Sequence, residues 1–113
     1  MATAKFIQTG DSIDYTPSSA VSAGAVVVQS DLVGVAKLDI AANKLGALAV
    51  AGVFDFPKTA GQGKAIAAGA KVYWDVADQV AKTDDETGAN KLIGKTVRAA
   101  GDNDTTVRVR LSQ

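Results

Sequence analysis

Residues 20–36 read AVSAGAVVVQSDLVGVA and hold two short apolar runs on either side of a polar turn. The first run, residues 26–28, is continuous and β-branched, as in a buried strand. The second run, residues 32–35, begins directly after a turn around Ser30 and Asp31. Two strand-like runs joined this closely predict a β-hairpin.

The same arrangement recurs later in the chain. Residues 20–28 (AVSAGAVVV) align with residues 65–73 (AIAAGAKVY), so that Gly24 matches Gly69 at an offset of 45 positions. In both copies small residues lead to a glycine, a strand, a polar turn and a second strand. Because glycine adopts backbone conformations that side chains resist, we interpret Gly24 and Gly69 as structural glycines of a repeated turn-then-hairpin unit. The alternative is a pseudo-symmetric binding site built from the two copies.

Short β-patterned runs continue along the rest of the chain, and no segment keeps a helical period over a dozen residues. The further runs predicted as strands are residues 5–8, 13–15, 48–56, 72–74, 79–82, 92–98 and 106–111. Residues 40–46 fit either a helical turn or a loop. Roughly eight to ten short strands predict an all-β fold, a small β-barrel or jelly-roll-like sandwich with an internal hairpin repeat. We expect one domain over residues 1–113, with residues 1–11 as an extended N-terminal arm.

The composition excludes several kinds of chemistry. The 113 residues include neither cysteine nor histidine, so disulfides, thiolate metal sites and the Ser–His and Cys–His nucleophile pairs are impossible. Twelve basic residues balance twelve acidic ones, whereas nucleic-acid-binding proteins usually carry a basic surplus. We therefore predict a protein that is not an enzyme, holds no cofactor or metal ion, and does not bind nucleic acid.

The chain also shows no signal for a membrane. It contains no apolar run long enough to span a bilayer, and its start, MATAKFIQTGDS, lacks the apolar segment of a signal peptide. We expect a protein that is made in a cytoplasm and stays or assembles there, with no membrane partner. A protein of zero net charge lacks colloidal repulsion and often associates with itself or with another protein.

Residues 88–96 (GANKLIGKT) end like a phosphate-binding P-loop. A P-loop has four residues between its two glycines, whereas five lie between Gly88 and Gly94. The segment continues as a strand pattern, so no helix N-terminus is expected to face a phosphate. We predict no nucleotide binding here.

Two acidic clusters, residues 84–86 and 102–104, offer oxygen atoms of the kind that bind calcium. Neither has the mid-loop glycine and distal glutamate of an EF-hand loop. Asp and Asn side chains also favour turns through their own hydrogen bonds, and we interpret both clusters as turns.

Arginines on the C-terminal strands are candidates for an interface. In residues 106–111 (TVRVRL) strict alternation places Arg108 and Arg110 on one face, and Arg98 lies on the preceding predicted strand. These arginines form either a solvated face or a basic stripe that docks on an acidic partner.

Aromatic and apolar residues supply the remaining interface candidates. Tyr73 and Trp74 are neighbours in a predicted strand and therefore point to opposite faces, so we expect one in the core and the other as an exposed anchor. Phe6 and Ile7 lie on the N-terminal arm, and an extended arm can add as a strand to the sheet edge of a neighbouring molecule.

The chain resembles the small capsid decoration (cement) proteins of tailed phages over nearly its whole length. The motifs that carry the resemblance are KFIQTGDSIDYT (5–16), AVSAGAVVVQSDLVGVA (20–36), GALAVAGVFDFPK (46–58), AAGAKVYWD (67–75) and TTVRVRL (105–111). The resemblance implies a protein that assembles on two-fold or three-fold axes of the capsid exterior and stabilises the expanded head. It implies as partners the major capsid protein and further copies of the chain, as a dimer or trimer, in a virion assembled in the cytoplasm of a bacterial host.

Some members of that family carry the label of a RecA/RadA-type phage recombinase. The misspaced P-loop, the neutral charge and the short chain give that label no support here. Two other functions stay open: a small ligand- or carbohydrate-binding β-module of a phage tail or fibre, and, less favoured, a recombinase accessory protein. A concave aromatic cluster would favour the first of these, and salt-sensitive DNA binding the second.

Overall fold

The computed structural model describes residues 3–112, and its regular structure is made of short strands. Nine strands occur in that range, together with one 3-10 turn at Glu86–Gly88. The strands are β1 (Ser12–Tyr15), β2 (Val26–Gln29), β3 (Leu32–Val35), β4 (Gly46–Ala49), β5 (Gly52–Pro57), β6 (Lys71–Asp75), β7 (Val80–Lys82), β8 (Lys91–Thr96) and β9 (Thr106–Leu111). The prediction of an all-β fold is confirmed.

The strands form two antiparallel sheets, with the orders β1-β4-β3-β2 and β5-β9-β8-β6-β7. β2 and β3 form the hairpin predicted from residues 20–36, and β6 and β7 form another. β5 and β7, at opposite ends of the second sheet, approach each other, so this sheet curls. No strand pairing within residues 3–112 closes either sheet into a barrel.

The segment predicted as one strand over residues 48–56 is two strands in different sheets. β4 ends at Ala49 and pairs with β1, whereas β5 starts at Gly52 and pairs with β9. Between them the Val50 N–H donates to the Asp11 carbonyl oxygen (3.0 Å), and Gly52 has a φ of +117°, which suits glycine. The prediction of one strand is wrong because the apolar pattern runs unbroken through the change of sheet, and a pattern does not show which partner each half pairs with.

Two other segments are irregular. Residues 5–8, predicted as a strand, are exposed and form no strand with any part of the chain that the structure describes. An extended segment needs a neighbouring strand to pair its N–H and C=O groups, and here none is adjacent. Residues 40–46, for which a helical turn and a loop were both open, form a turn-rich loop in which Asn43 has a φ of +63°.

Gly24 and Gly69 occupy matching turns. Their φ values, +89° and +76°, both lie in the left-handed region. The Gly24 N–H donates to the Ala36 carbonyl oxygen (2.6 Å), and the Gly69 N–H donates to that of Thr96 (3.0 Å). A Cβ on either glycine would meet no atom within 4 Å, so the backbone conformation, and not a lack of space, calls for glycine.

The correspondence extends from these turns to whole sheets. If β7 is left out, the second sheet has the strand order β5-β9-β8-β6. This order corresponds, position by position, to the order β1-β4-β3-β2 of the first sheet. An isolated bridge also recurs at the matching place, between Val21 and Ile40 and between Ile66 and Ala100. The described chain is therefore two copies of one four-stranded unit, and β7 with the 3-10 turn is an insertion in the second copy.

The main hydrophobic core lies between the two sheets. Its largest side chains are those of Trp74 and Phe56, which are 2% and 1% exposed and whose ring centroids are 6.0 Å apart. Val33 and Val35 bring the first sheet into the same cluster, so the core joins both copies of the unit. A smaller cluster in the first copy consists of Ala36, Ile40 and Leu48.

Candidate interaction surfaces

The N-terminal arm projects its apolar side chains into solvent. Residues 1–2 of the predicted arm lie outside the described residues, and residues 3–11 are exposed. Phe6 is 81% and Ile7 76% exposed. The base of the arm is held where the Gln8 side chain donates to the Ser12 carbonyl oxygen (3.0 Å). The arm thus presents two large apolar side chains that nothing within residues 3–112 covers.

The structure places Tyr73 and Trp74 on different sides of the second sheet. Tyr73 is half-buried, whereas Trp74 is buried against Phe56 in the main core. The prediction of Trp74 as an interface residue is therefore wrong. Adjacent residues of a strand point to alternate faces of the sheet, and Trp74 lies on the face that points into the core. Its indole N–H has no hydrogen-bond partner within residues 3–112. Tyr73 remains a surface candidate.

The three predicted arginines differ in whether their guanidinium groups pair with an acidic side chain. Arg108 makes a two-pronged contact with Asp55, at 2.9 Å from Nε and 3.1 Å from Nη2. The hydrogen bonds from Arg108 lower the pKa of the Asp55 carboxyl below its usual value, and they raise that of Arg108. The charge of the exposed Arg98 also lowers the pKa of Asp55, but less. Arg110 is exposed and has no ion pair within residues 3–112.

Arg110 belongs to a row of three cations across the second sheet, which we call the basic row. Lys71 of β6 lies directly opposite Lys95 of β8, which lies opposite Arg110 of β9. All three residues are exposed, and no ion pair joins any of them to an acid in the described part of the chain. Sequence reasoning missed Lys71 and Lys95, because only the strand register brings positions so far apart in the chain together.

Lys82 is the centre of an ionic cluster beside β7. Its ammonium group lies 2.7 Å from Asp75, 2.9 Å from Asp78 and 3.4 Å from Glu86. The hydrogen bond from Lys82 is the main cause that lowers the pKa of Asp75 to about 2. Hydrogen bonds to Asp75 and then Asp78 raise the pKa of Lys82. The cluster ties the β6–β7 turn to the loop of residues 83–90.

The P-loop-like segment serves the fold. Lys91–Thr96 is strand β8, and within the described residues no helix follows it. The Thr96 hydroxyl donates to the Ala67 carbonyl oxygen (2.6 Å) and accepts from the Ala70 N–H (3.0 Å). Thr96 thereby supports the turn at Gly69.

The two acidic clusters act as turn-forming groups. Asp84 accepts a hydrogen bond from the N–H of Glu86 (2.8 Å), and Asp104 accepts one from the N–H of Gly101 (2.7 Å). Asp102 instead joins two loops, since it accepts from the N–H of Ala65 (2.9 Å). No group of three or more His, Cys, Asp or Glu side chains is placed to hold a metal ion in residues 3–112.

An open groove runs beside β7. Its charged lining residues are Lys58, Lys64, Lys82, Asp84 and Glu86, and its lining includes no aromatic side chain. Lys58 is 5% exposed and donates to the carbonyl oxygens of Thr59, Asp102 and Asp104 at 2.9–3.4 Å. The concave aromatic cluster expected of a carbohydrate-binding module is not formed in this groove.

Among residues 3–112 no helix has the length and apolar character needed to cross a membrane.

Comparisons with known proteins point to one family. The sequence model of the phage cement protein family matches residues 7–111, whereas no curated protein and no solved structure matches the chain. The family match begins in the exposed arm and ends at the last residue of β9, and it covers both copies of the repeated unit. The chain therefore belongs to the phage cement protein family.

Proposed function

We propose that this protein binds the outer surface of an expanded phage head and stabilises it, with the major capsid protein and further copies of itself as partners. The observation that carries the proposal is the family match across residues 7–111. The polar groups described above make contacts that stabilise the fold, and this agrees with a non-catalytic role. Thr96 supports a turn and Lys82 joins three acids, so both serve the fold.

The N-terminal arm is the first candidate for the contact. Fully burying an apolar side chain contributes about 1.5–3 kcal/mol, and Phe6 and Ile7 are both largely exposed in the isolated chain. An extended arm that adds as a strand to a neighbouring sheet edge also gains main-chain hydrogen bonds. The loops of residues 59–64 and 83–90 are secondary candidates, since exposed polar loops can order on contact.

The direct test is to mix the purified protein with expanded heads and measure how much of it sediments with them. Deleting residues 2–8 should leave a folded core, because the packed side chains of both sheets lie outside the deleted segment. The truncated protein should form weaker oligomers or bind heads more weakly. Leu38→Ser is a matched control, since Leu38 is 78% exposed but belongs to the loop between β3 and β4 and not to the arm.

Two results would separate the parts of the proposal. If the full chain fails to sediment with expanded heads, the cement function itself is wrong. If the truncated protein binds heads as tightly as the full chain, the arm is not the contact, and the sheet face that carries Arg108 and Arg110 becomes the better candidate. Equal loss of binding in Leu38→Ser would show that the effect is not specific to the arm.

A further inference from the structure

The outward face of the second sheet carries the basic row of Lys71, Lys95 and Arg110. Building on the proposed function, we propose that this face docks on an acidic protein surface of the capsid. The partner surface would present carboxylates opposite the three cations, and the arm would be a separate point of attachment.

The basic row is electrostatically unfavourable in the isolated protein. Residues directly opposite each other in antiparallel strands have Cβ atoms about 4.5–5.5 Å apart, and like charges at that distance destabilise the pair. Three other cations have acidic partners in the described residues: Lys82, Lys91 and Arg108. Arg108 pairs with Asp55 and Lys91 with Asp31, each at 2.9 Å, whereas the remaining cations outside the basic row have no ion pair in residues 3–112. The basic row has none within residues 3–112, although the chain contains twelve acidic residues. An approaching carboxylate surface relieves this repulsion and adds attraction.

The internal duplication identifies the same face of the unit as a packing surface. In the first sheet the matching row is Val26, Val35 and Ala49, which oppose one another in the same order. Val35 and Ala49 are each 5% exposed, and Val26 and Val35 pack into the main core between the sheets. In the second copy this face points outward and is cationic instead of apolar. Such a face stays soluble when alone and suits a charged partner.

The neighbours of the basic row favour a protein over a nucleic acid. Val53 lies directly opposite Arg110 and is 53% exposed, and the half-buried Tyr73 lies two positions along β6 from Lys71. Tyrosine and arginine, both present on this face, are enriched at protein interfaces. The chain as a whole lacks the basic surplus of a nucleic-acid-binding protein.

The test compares two double variants in the sedimentation assay with expanded heads. K71Q/K95Q removes two charges of the basic row, and K37Q/K44Q removes two charges from exposed lysines of the first copy. K71Q/K95Q should bind heads about tenfold more weakly or worse, whereas K37Q/K44Q should bind like the wild type. Thermal unfolding supplies a second readout: K71Q/K95Q should be at least as stable as the wild type, because the repulsion across the row is reduced.

The salt dependence of head binding and a measurement of binding to double-stranded DNA complete the test. Raising the salt concentration from about 0.1 M to about 1 M shortens the Debye length from about 10 Å to about 3 Å, so binding of the wild type should weaken more than that of K71Q/K95Q. If wild-type protein sediments with heads and K71Q/K95Q does so equally well, the docking face is wrong and the cement function stands. If the wild-type protein does not sediment with heads, both the docking face and the cement function are wrong. Retention on double-stranded DNA that K71Q/K95Q loses would assign the face to nucleic acid and overturn the acidic-protein partner.

Discussion

Substitution of Gly69 by alanine isolates the effect of backbone conformation from that of packing. Gly69 has a φ of +76°, and a Cβ placed there would meet no atom within 4 Å. The expected loss is therefore the cost of holding an alanine in the left-handed region, about 1–2 kcal/mol. Gly24, at +89° and in equally open space, should lose the same amount on substitution. Valine should cost more than alanine at either position, because β-branching restricts the backbone further.

Urea unfolding followed by tryptophan fluorescence suits this measurement. The chain has a single tryptophan, Trp74, which lies in the core and becomes exposed on unfolding. A loss of about 1 kcal/mol should also lower the melting temperature by about 4 °C or more. Gly10→Ala is the matched control, since Gly10 has equally open surroundings but no positive φ. That variant should be neutral or slightly stabilising, as alanine reduces the freedom of the unfolded chain.

Two outcomes would refute the reasoning. If Gly69→Ala is as stable as Gly10→Ala, the positive φ is not what requires glycine at this turn. If Gly24→Ala and Gly69→Ala differ by more than about 1 kcal/mol, the two turns are not energetically equivalent, despite their matching hydrogen bonds.

Three further outcomes are expected. The pKa of Asp75 is lowered to about 2, mainly by Lys82, so the ionised carboxylate stabilises the fold above about pH 4. This contribution is lost as the pH falls towards 2. In acid titrations, the free energy of unfolding of Asp75→Asn should therefore decline less steeply over that pH range than that of the wild type. Trp74→Ala should cost about 3–5 kcal/mol by thermal unfolding, and an equal loss in Tyr73→Ala, whose side chain is half-buried, would contradict the assignment of their faces. No ATP hydrolysis is expected, and turnover that disappears in Lys95→Ala would disprove this.

Local patterns in the sequence were enough to predict most strands. The alternation in residues 106–111 corresponds to buried Val107 and Val109 and exposed Arg110. The polar turn within residues 20–36 corresponds to the β2–β3 hairpin. These predictions succeed because the two-residue period of a strand and the residue preferences of tight turns are properties of adjacent residues. The glycine repeat was visible for the same reason, since each turn is formed by a short contiguous segment.

Only the tertiary structure decided how these pieces pair and which faces they bury. It divides residues 48–56 between two sheets, places Trp74 and not Tyr73 in the core, and assembles the basic row from three separate strands. It also extends the visible glycine repeat to two four-stranded units of the same order. The physical reason is that strand register and inward orientation depend on partner strands from distant parts of the chain, and a local apolar or charged pattern is compatible with several such partners.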